Sequence, residues 1–192
     1  MGSFFGILTT SVDKIFIGTY IGSEQLGVYT AYSTPSILFM GQLSALLVNV
    51  LFPYLSSSTY RSDLLTKINK ISVLLFFPLW IGLCLFIFLS IILFGKEYPV
   101  DYWLILEFGF LGAIYLYFVV LWWFINARGS RGIRFTSVTG ICLGLLFVGL
   151  MYIFKEELTL RSVVLFLIIS ILLGIFLGNV NNKQKITEQI PT

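Results

Sequence analysis

The sequence predicts an all-α membrane protein built from six transmembrane helices. Only 11% of its 192 residues are charged, against about 25% in soluble domains, and 58% are hydrophobic. Apolar runs close to the roughly 20 residues that cross a hydrocarbon core recur along the chain. The predicted spans cover residues 4–21, 28–51, 71–94, 103–125, 136–154 and 160–180, and residues 181–192 form a polar tail predicted to be disordered.

The six spans differ in character along the chain. The first is the most polar, so it also fits an interfacial helix. The second contains Pro35, which frees a backbone carbonyl and predicts a kink, and it ends at Pro53. The third and fourth are long and apolar. The last two carry small residues at intervals of four, which indicate close helix packing: Gly140 and Gly144, then Ser170, Gly174 and Gly178.

The charges between the spans predict the orientation. Eight basic residues fall on one side, namely Arg61, Lys67, Lys70, Arg128, Arg131, Arg134, Lys183 and Lys185. The other side carries Lys96, Lys155 and Arg161 together with five acidic residues, Glu24, Glu97, Asp101, Glu156 and Glu157. Because cytoplasmic loops are rich in lysine and arginine, both termini are predicted to be cytoplasmic. The loops between spans are too short to fold into a separate domain.

The composition argues against several functions. Histidine is absent, so imidazole serves neither as a catalytic base nor as a metal ligand. Cys84 and Cys142 lie inside apolar spans, which favours packing over a disulfide or a metal site. The net charge of +3 and the lack of a basic run interleaved with aromatics argue against nucleic-acid binding. No phosphate-binding glycine loop or nucleophile–base spacing is found, so neither an enzyme nor a cofactor is predicted.

The first span places an ionisable pair, Asp13 and Lys14, at membrane depth. On a helical wheel the pair belongs to a polar arc of about 140°. The arc also holds Gly2, Ser3, Gly6, Thr9, Thr10 and Tyr20. An intramembrane charge is unfavourable by roughly 2.5–3.5 kcal/mol unless it meets water, a partner or a substrate. The arc therefore predicts a hydrated cavity, and the alternative is an internal Asp–Lys ion pair that only fixes helix packing.

Other polar residues complete the candidate site. Gln42 and Asn49 share one face of the second span, either facing a cavity or holding helices together. Glu107 lies about one turn inside the fourth span, where it either reaches interfacial water or faces the cavity. The predicted cavity residues are Thr10, Asp13, Lys14, Gln42, Asn49 and Glu107. A basic cluster, Arg128, Arg131 and Arg134, either sets topology and contacts anionic lipid or gathers a diphosphate group at a cytoplasmic mouth.

Three stretches resemble bacterial polysaccharide-exporting flippases of the Wzx type, in the superfamily that includes the multidrug and toxin extruders (MATE). Residues 13–39, DKIFIGTYIGSEQLGVYTAYSTPSILF, resemble the opening of the second half of these proteins. There an Asp within a helix precedes a glycine-rich turn and a G-x-Y-x-x-A pattern, although here Ala31 comes one position early. NVLFPYLS at 49–56 and LFGKEY at 93–98 follow in the family's order.

This resemblance implies one six-helix lobe of a MATE-like two-lobe transporter in the bacterial inner membrane. Such a transporter flips an isoprenoid-diphosphate-linked oligosaccharide for O-antigen, capsule or exopolysaccharide synthesis. The other lobe would come from a longer protein, a partner or a second copy of the chain. On this hypothesis Lys14 binds the diphosphate, Asp13 holds Lys14 or the coupling ion, and Gln42 and Asn49 face sugar hydroxyls. Among these residues only Asp13 lies on the family motif.

Other functions remain open at this point. A drug or small-cation extruder of the same superfamily needs an acidic or apolar cavity, and Lys14 argues against it. A non-transporting membrane scaffold would tolerate changes at Asp13 and Lys14. A membrane glycan polymerase or ligase usually carries a large outer loop, and the loops predicted here are short.

Overall fold

The computed structural model describes residues 11–56, 61–95 and 97–187, and over these residues the chain is helical with no strand. The α-helices are α1 (Asp13–Phe16), α2 (Ser23–Ser33), α3 (Phe39–Ser56), α4 (Arg61–Phe94), α5 (Tyr102–Asn126), α6 (Ser130–Ile153) and α7 (Leu160–Thr187). Two π-helical segments, Ile17–Ile21 and Thr34–Leu38, follow α1 and α2, and a 3₁₀ turn, Lys155–Glu157, precedes α7. The predicted all-α class is confirmed.

Five helical stretches in the described ranges are long and apolar enough to cross a membrane. They are Ser23–Val50, Asn69–Phe94, Tyr102–Asn126, Ser130–Ile153 and Leu160–Asn181. They correspond to the second to sixth predicted spans, and the molecule is a multi-pass membrane protein. Part of the first predicted span, residues 4–10, lies outside the described residues, while the segment from Asp13 to Ile21 is helical. A membrane crossing by this first span therefore stays a prediction.

Several helix ends differ from the predicted ones. The second span begins at Ser23 instead of residue 28, and α3 continues through Pro53 to Ser56. Helix α4 begins at Arg61 instead of residue 71, so most of the predicted loop there is helical. Helix α7 runs to Thr187, into the stretch predicted to be disordered. Hydropathy detects only the apolar part of a helix, and these helices continue into polar sequence at their ends.

Helix α5 forms the centre of the bundle. Of the 18-residue apolar segment of α5, 61% is buried inside the bundle, whereas 17% of the corresponding segment of α4 is buried. Phe108 on α5 is fully buried, and the rings of Tyr29 and Tyr32 from α2 pack on it with centroids 5.5 and 6.0 Å away. The α2 helix is therefore held against the middle of the bundle by aromatic contacts.

Small residues allow α7 and α4 to approach α5 closely. A Cβ placed on Gly174 would lie 2.6 Å from the Phe118 ring, and one on Gly178 would lie 3.0 Å from Leu121. A Cβ on Gly109 would lie 2.5 Å from the Cys84 sulfur of α4. The packing role predicted for Gly174 and Gly178 is confirmed.

The segment between α4 and α5 is tied to α2. The Tyr32 hydroxyl donates to the Pro99 carbonyl at 2.7 Å and accepts from the Asp101 backbone N–H at 2.8 Å. Asp101 caps α5, because its carboxylate accepts from the N–H groups of Trp103 and Leu104 at 2.8 and 3.3 Å. These bonds fix the position of α2 relative to the start of α5.

Candidate functional site

A cavity of about 200 Å³ lies beside α1, between α1, the α2–α3 segment and α5. It is lined by Asp13, Lys14, Ser33, Thr34, Ile37, Leu38, Gly41, Gln42 and Tyr115. The α2–α3 part of this lining lies near the centre of the Ser23–Val50 span, and Tyr115 lies near the centre of Tyr102–Asn126. The cavity is therefore at mid-membrane depth. We call it the central cavity.

Asp13 forms one wall of the central cavity and is only 2% exposed. Its Oδ2 accepts a hydrogen bond from the Tyr29 hydroxyl at 2.6 Å, and its Oδ1 accepts from the Lys14 backbone N–H at 2.7 Å. Tyr29 is itself fully buried. Both carboxylate oxygens therefore have donors within the protein, one from α1 itself and one from α2.

Lys14 is half-buried and lines the same cavity. Consecutive residues on a helix point about 100° apart, and the contact of Asp13 with Lys14 is to its backbone. Among the described residues the only ion pair joins Glu107 to Arg161, and the Lys14 ammonium makes no hydrogen bond. The alternative interpretation, an internal Asp13–Lys14 ion pair, is therefore not supported by a salt bridge among the described residues. A positive charge faces the cavity with no direct anionic partner in the described part of the chain.

The remaining polar lining comes from α3 and α5. Gln42 is exposed on α3, and Tyr115 on α5 lies across from Gly41, where an added Cβ would be 3.9 Å from the ring. Neither the Gln42 amide nor the Tyr115 hydroxyl has a hydrogen-bond partner among the described side chains and backbone groups. The cavity thus offers a cation, an amide and a phenol hydroxyl beside the apolar Ile37 and Leu38.

A π-helical segment shapes the cavity wall. Pro35 has no N–H to continue the α-helical pattern, and the chain forms a π-helix at Thr34–Leu38 before α3 begins. The Thr34 hydroxyl caps the Thr30 carbonyl at 2.7 Å, and the Ser36 hydroxyl donates to the Phe108 carbonyl at 2.5 Å. At Pro35, where the sequence predicts a kink, the structure forms a π segment, a feature that is frequent at functional sites.

The other predicted cavity residues lie elsewhere. Thr10 is outside the described residues. Asn49 is exposed on α3, about two turns beyond Gln42, and does not line the cavity. The cavity position predicted for Glu107 is wrong. Its Oε1 accepts from Nε and Nη2 of Arg161 at 2.9 and 2.8 Å, near the start of α5. Glu107 lies about two turns before Tyr115 on α5, and it does not line the central cavity.

The basic cluster lies at the opposite end of α5 from Asp101. Arg128 is in the turn before α6, with its guanidinium 5.7 Å from the centroid of the Phe124 ring. Arg131 and Arg134 are exposed on the first turns of α6. None of the three lines the central cavity.

Sequence reasoning missed Tyr29 and Tyr115. Tyr29 belongs to the quoted G-x-Y motif, but its bond to Asp13 joins residues 16 positions apart. Tyr115 had no local signal, because it reaches the cavity only through the packing of α5 on α3. No group of three or more His, Cys, Asp or Glu side chains that suits a metal ion lies in the described ranges.

The geometry defines a multi-pass membrane protein with a polar cavity at mid-membrane depth. Residues 1–100 of the chain match a family model described as "Polysaccharide biosynthesis protein". The chain belongs to this polysaccharide biosynthesis family. The matched region contains every residue that lines the central cavity except Tyr115. No curated protein matches the chain, and no solved structure does.

Proposed function

We propose that this chain is one lobe of a transporter that flips an isoprenoid-diphosphate-linked oligosaccharide across the bacterial inner membrane. The family and the membrane-spanning fold support transport in polysaccharide biosynthesis. The observation that carries the proposal is Lys14, a half-buried cation in a mid-membrane cavity that forms no salt bridge among the described residues. Substrate sites of secondary transporters lie near the midplane, where helices are interrupted.

Lys14 would bind the diphosphate as it crosses the membrane. Phosphate oxygens form short, charge-assisted hydrogen bonds with a lysine ammonium, which acts as a point charge. Asp13 does not neutralise the ammonium directly, since its oxygens accept from Tyr29 and from a backbone N–H. In this proposal Asp13 positions the Lys14 backbone, and the ammonium stays available to an anion.

Gln42 and Tyr115 would bind sugar hydroxyls beside the diphosphate. An amide and a phenol both donate and accept, as a saccharide requires. Ligand pockets for drug-sized molecules have volumes of about 300–1,000 Å³, and the central cavity has about 200 Å³. The cavity of this one bundle would therefore hold only part of the substrate.

A second bundle would complete the site. Gln42 and Asn49 are exposed on α3 within a membrane-spanning stretch. Amides at membrane depth form hydrogen bonds across helices in preference to facing acyl chains. We propose that another lobe, or a second copy of the chain, covers this face of α3, and that the two bundles rock to give alternating access.

The same geometry argues against a cation extruder. A cationic drug needs an available carboxylate, whereas Asp13 is 2% exposed with a donor on each oxygen. We further propose that the molecule is a transporter and not an enzyme. On the basis of the loop charges, both termini would be cytoplasmic.

Replacement of Lys14 tests the proposal. Cells whose own gene copy carries Lys14→Ala should deliver lipid-linked glycan about tenfold more slowly or worse, since hydrogen bonds to charged groups contribute roughly 1.5–3 kcal/mol. Lys14→Arg should retain more delivery than Lys14→Ala, because it keeps the charge. Lys67→Ala, at an exposed position on α4, is the matched control. Normal delivery by Lys14→Ala at normal membrane abundance would exclude the proposed role.

A further inference from the structure

A second cavity, of about 250 Å³, lies at the end of the bundle where α5 and α7 begin. Its lining includes Gln25, Val28, Asp101, Leu104, Leu160 and Arg161. These residues come from the ends of three membrane-spanning stretches, so the cavity opens at the membrane surface. We call it the end cavity. It shares α2 with the central cavity, since Val28 lines one and Ser33 the other, about 7–8 Å apart along the helix axis.

Arg161 is held rigidly at the end cavity. Its Nε and Nη2 both donate to Glu107 Oε1, and its guanidinium lies 5.5 Å from the centroid of the Trp103 ring. Its side chain is nevertheless 49% exposed. The Nη1 group makes no hydrogen bond with any described residue. Arg161 therefore presents a preorganised donor to the cavity, at little further cost in side-chain entropy.

Acceptors face the same space. Asp101 Oδ1 is fixed by two backbone N–H groups at the start of α5, and Oδ2 has no partner among the described residues. Gln25 is exposed on the first turn of α2 and contributes an amide. Val28, Leu104 and Leu160 supply apolar walls. The cavity thus combines a fixed donor, a fixed acceptor and apolar surface.

The charge balance selects the class of ligand. Arg161 is already paired with Glu107, and Asp101 adds a negative charge, so a phosphate or a carboxylate would meet net repulsion. A neutral sugar ring fits better. Its hydroxyls donate to a carboxylate and accept from a guanidinium, and its C–H face packs on aliphatic side chains. The volume is below the roughly 300–1,000 Å³ of drug-sized pockets, which suits a single ring.

We infer that the end cavity is a saccharide subsite that binds one neutral sugar ring of the glycan at the membrane surface. The identity of the ligand rests on the proposed function, whereas the donor, acceptor and apolar walls are observed directly. The subsite would hold the glycan end of the substrate while the diphosphate occupies the central cavity nearby.

Binding to the purified full chain in lipid nanodiscs tests the inference. Saturation-transfer NMR with neutral methyl pyranosides should show binding, while glucuronate should bind at least several-fold more weakly, because its carboxylate meets the net negative charge of the cavity. Gln25→Ala should weaken the neutral sugar by about five- to tenfold, as expected for one lost hydrogen bond. Gln25→Trp should abolish binding by filling the cavity. Glu157→Gln, exposed in the neighbouring turn, should bind like the parent protein.

Each contrary result overturns the inference. These results are no binding of any neutral sugar, preferential binding of glucuronate, or unchanged binding by both Gln25 variants. Arg161→Gln should also lose binding, but this change leaves Glu107 unpaired. If the Arg161→Gln protein does not fold, the variants at the exposed Gln25 position decide the result. Glycan delivery by Lys14→Ala is measured separately in cells. Sugar binding with unaffected delivery would contradict the proposed function and leave the subsite standing.

Discussion

At the scale of single residues, Asp13 and Tyr29 form a buried polar contact beside the central cavity. Both side chains are almost fully buried, and the Tyr29 hydroxyl donates to Oδ2 at 2.6 Å. A carboxylate in this position would otherwise have a lone pair facing apolar groups, which is unfavourable at membrane depth. Tyr29 therefore stabilises the carboxylate, and through it the start of α1.

The first prediction removes this donor. Tyr29→Phe keeps the ring against Phe108 but leaves Asp13 Oδ2 without its partner, so we expect a loss of about 1–3 kcal/mol in the free energy of unfolding. Denaturant unfolding in mixed micelles measures the loss. Tyr20→Phe is the control, because Tyr20 is 48% exposed. Equal stability of the two variants would show that the Asp13–Tyr29 bond is not formed in the membrane protein.

The sequence was informative about residues that carry a strong local signal. An aspartate and a lysine in an apolar run stand out, and Asp13, Lys14 and Gln42 do line one cavity. The partners of these residues were not predictable. Tyr115 reaches the cavity across the α3–α5 contact, and Glu107 pairs with Arg161, which is 54 positions away. Long-range pairing depends on which helix faces pack, and a periodic pattern in one helix does not specify its neighbour.

At the scale of helices, the small residues of α7 determine how closely it packs on α5. Gly174 faces the Phe118 ring, and an added Cβ would also lie 2.9 Å from Leu143 of α6. Phe118 is only 4% exposed, so its ring has little room to move. Three helices therefore meet at this glycine.

The second prediction tests that contact. Gly174→Ala should destabilise the fold by about 1–3 kcal/mol, the usual effect of overpacking a tight core. Gly82→Ala on α4 is the matched control, since a Cβ there meets no described atom within 4 Å and alanine favours the helix. Thermal unfolding in the same detergent measures both variants. A Gly174→Ala protein as stable as Gly82→Ala would contradict the close packing of α7 on α5.

Element types were predictable here, and their irregularities were not. Twenty-residue apolar runs specify membrane helices because backbone groups must be satisfied inside the segment. The π segment at Thr34–Leu38 depends on more than Pro35, since the Ser36 hydroxyl also reaches the Phe108 carbonyl of α5. A tertiary contact of this kind leaves no periodic trace in the sequence.

At the scale of the whole molecule, the bundle has a buried axis and an apolar outer face. Helix α5 is the axis, and α4 is peripheral, with exposed apolar side chains such as Leu74, Ile81 and Leu93. This face suits acyl chains. The exposed amides of Gln42 and Asn49 on α3 do not, and they mark the side of the molecule where we place the second lobe.

The last prediction concerns the orientation of the molecule and the number of crossings. Single cysteines are introduced as Ser3→Cys, Lys67→Cys and Glu157→Cys, after Cys84 and Cys142 have been replaced by alanine. A membrane-impermeant maleimide is then applied to intact and to permeabilised spheroplasts. Six crossings with cytoplasmic termini predict that Glu157→Cys reacts in intact spheroplasts. Ser3→Cys and Lys67→Cys should react only after permeabilisation, because they would lie on the positively charged, cytoplasmic side.

Each alternative topology gives a different labelling pattern. If the first segment lies in the interface, Ser3→Cys reacts in intact spheroplasts together with Glu157→Cys. Asp13 and Lys14 would then belong to an interfacial helix, and the central cavity would open toward the outer surface. If Lys67→Cys reacts in intact spheroplasts and Glu157→Cys does not, the orientation inferred from the loop charges is reversed. The end cavity would then face the cytoplasm.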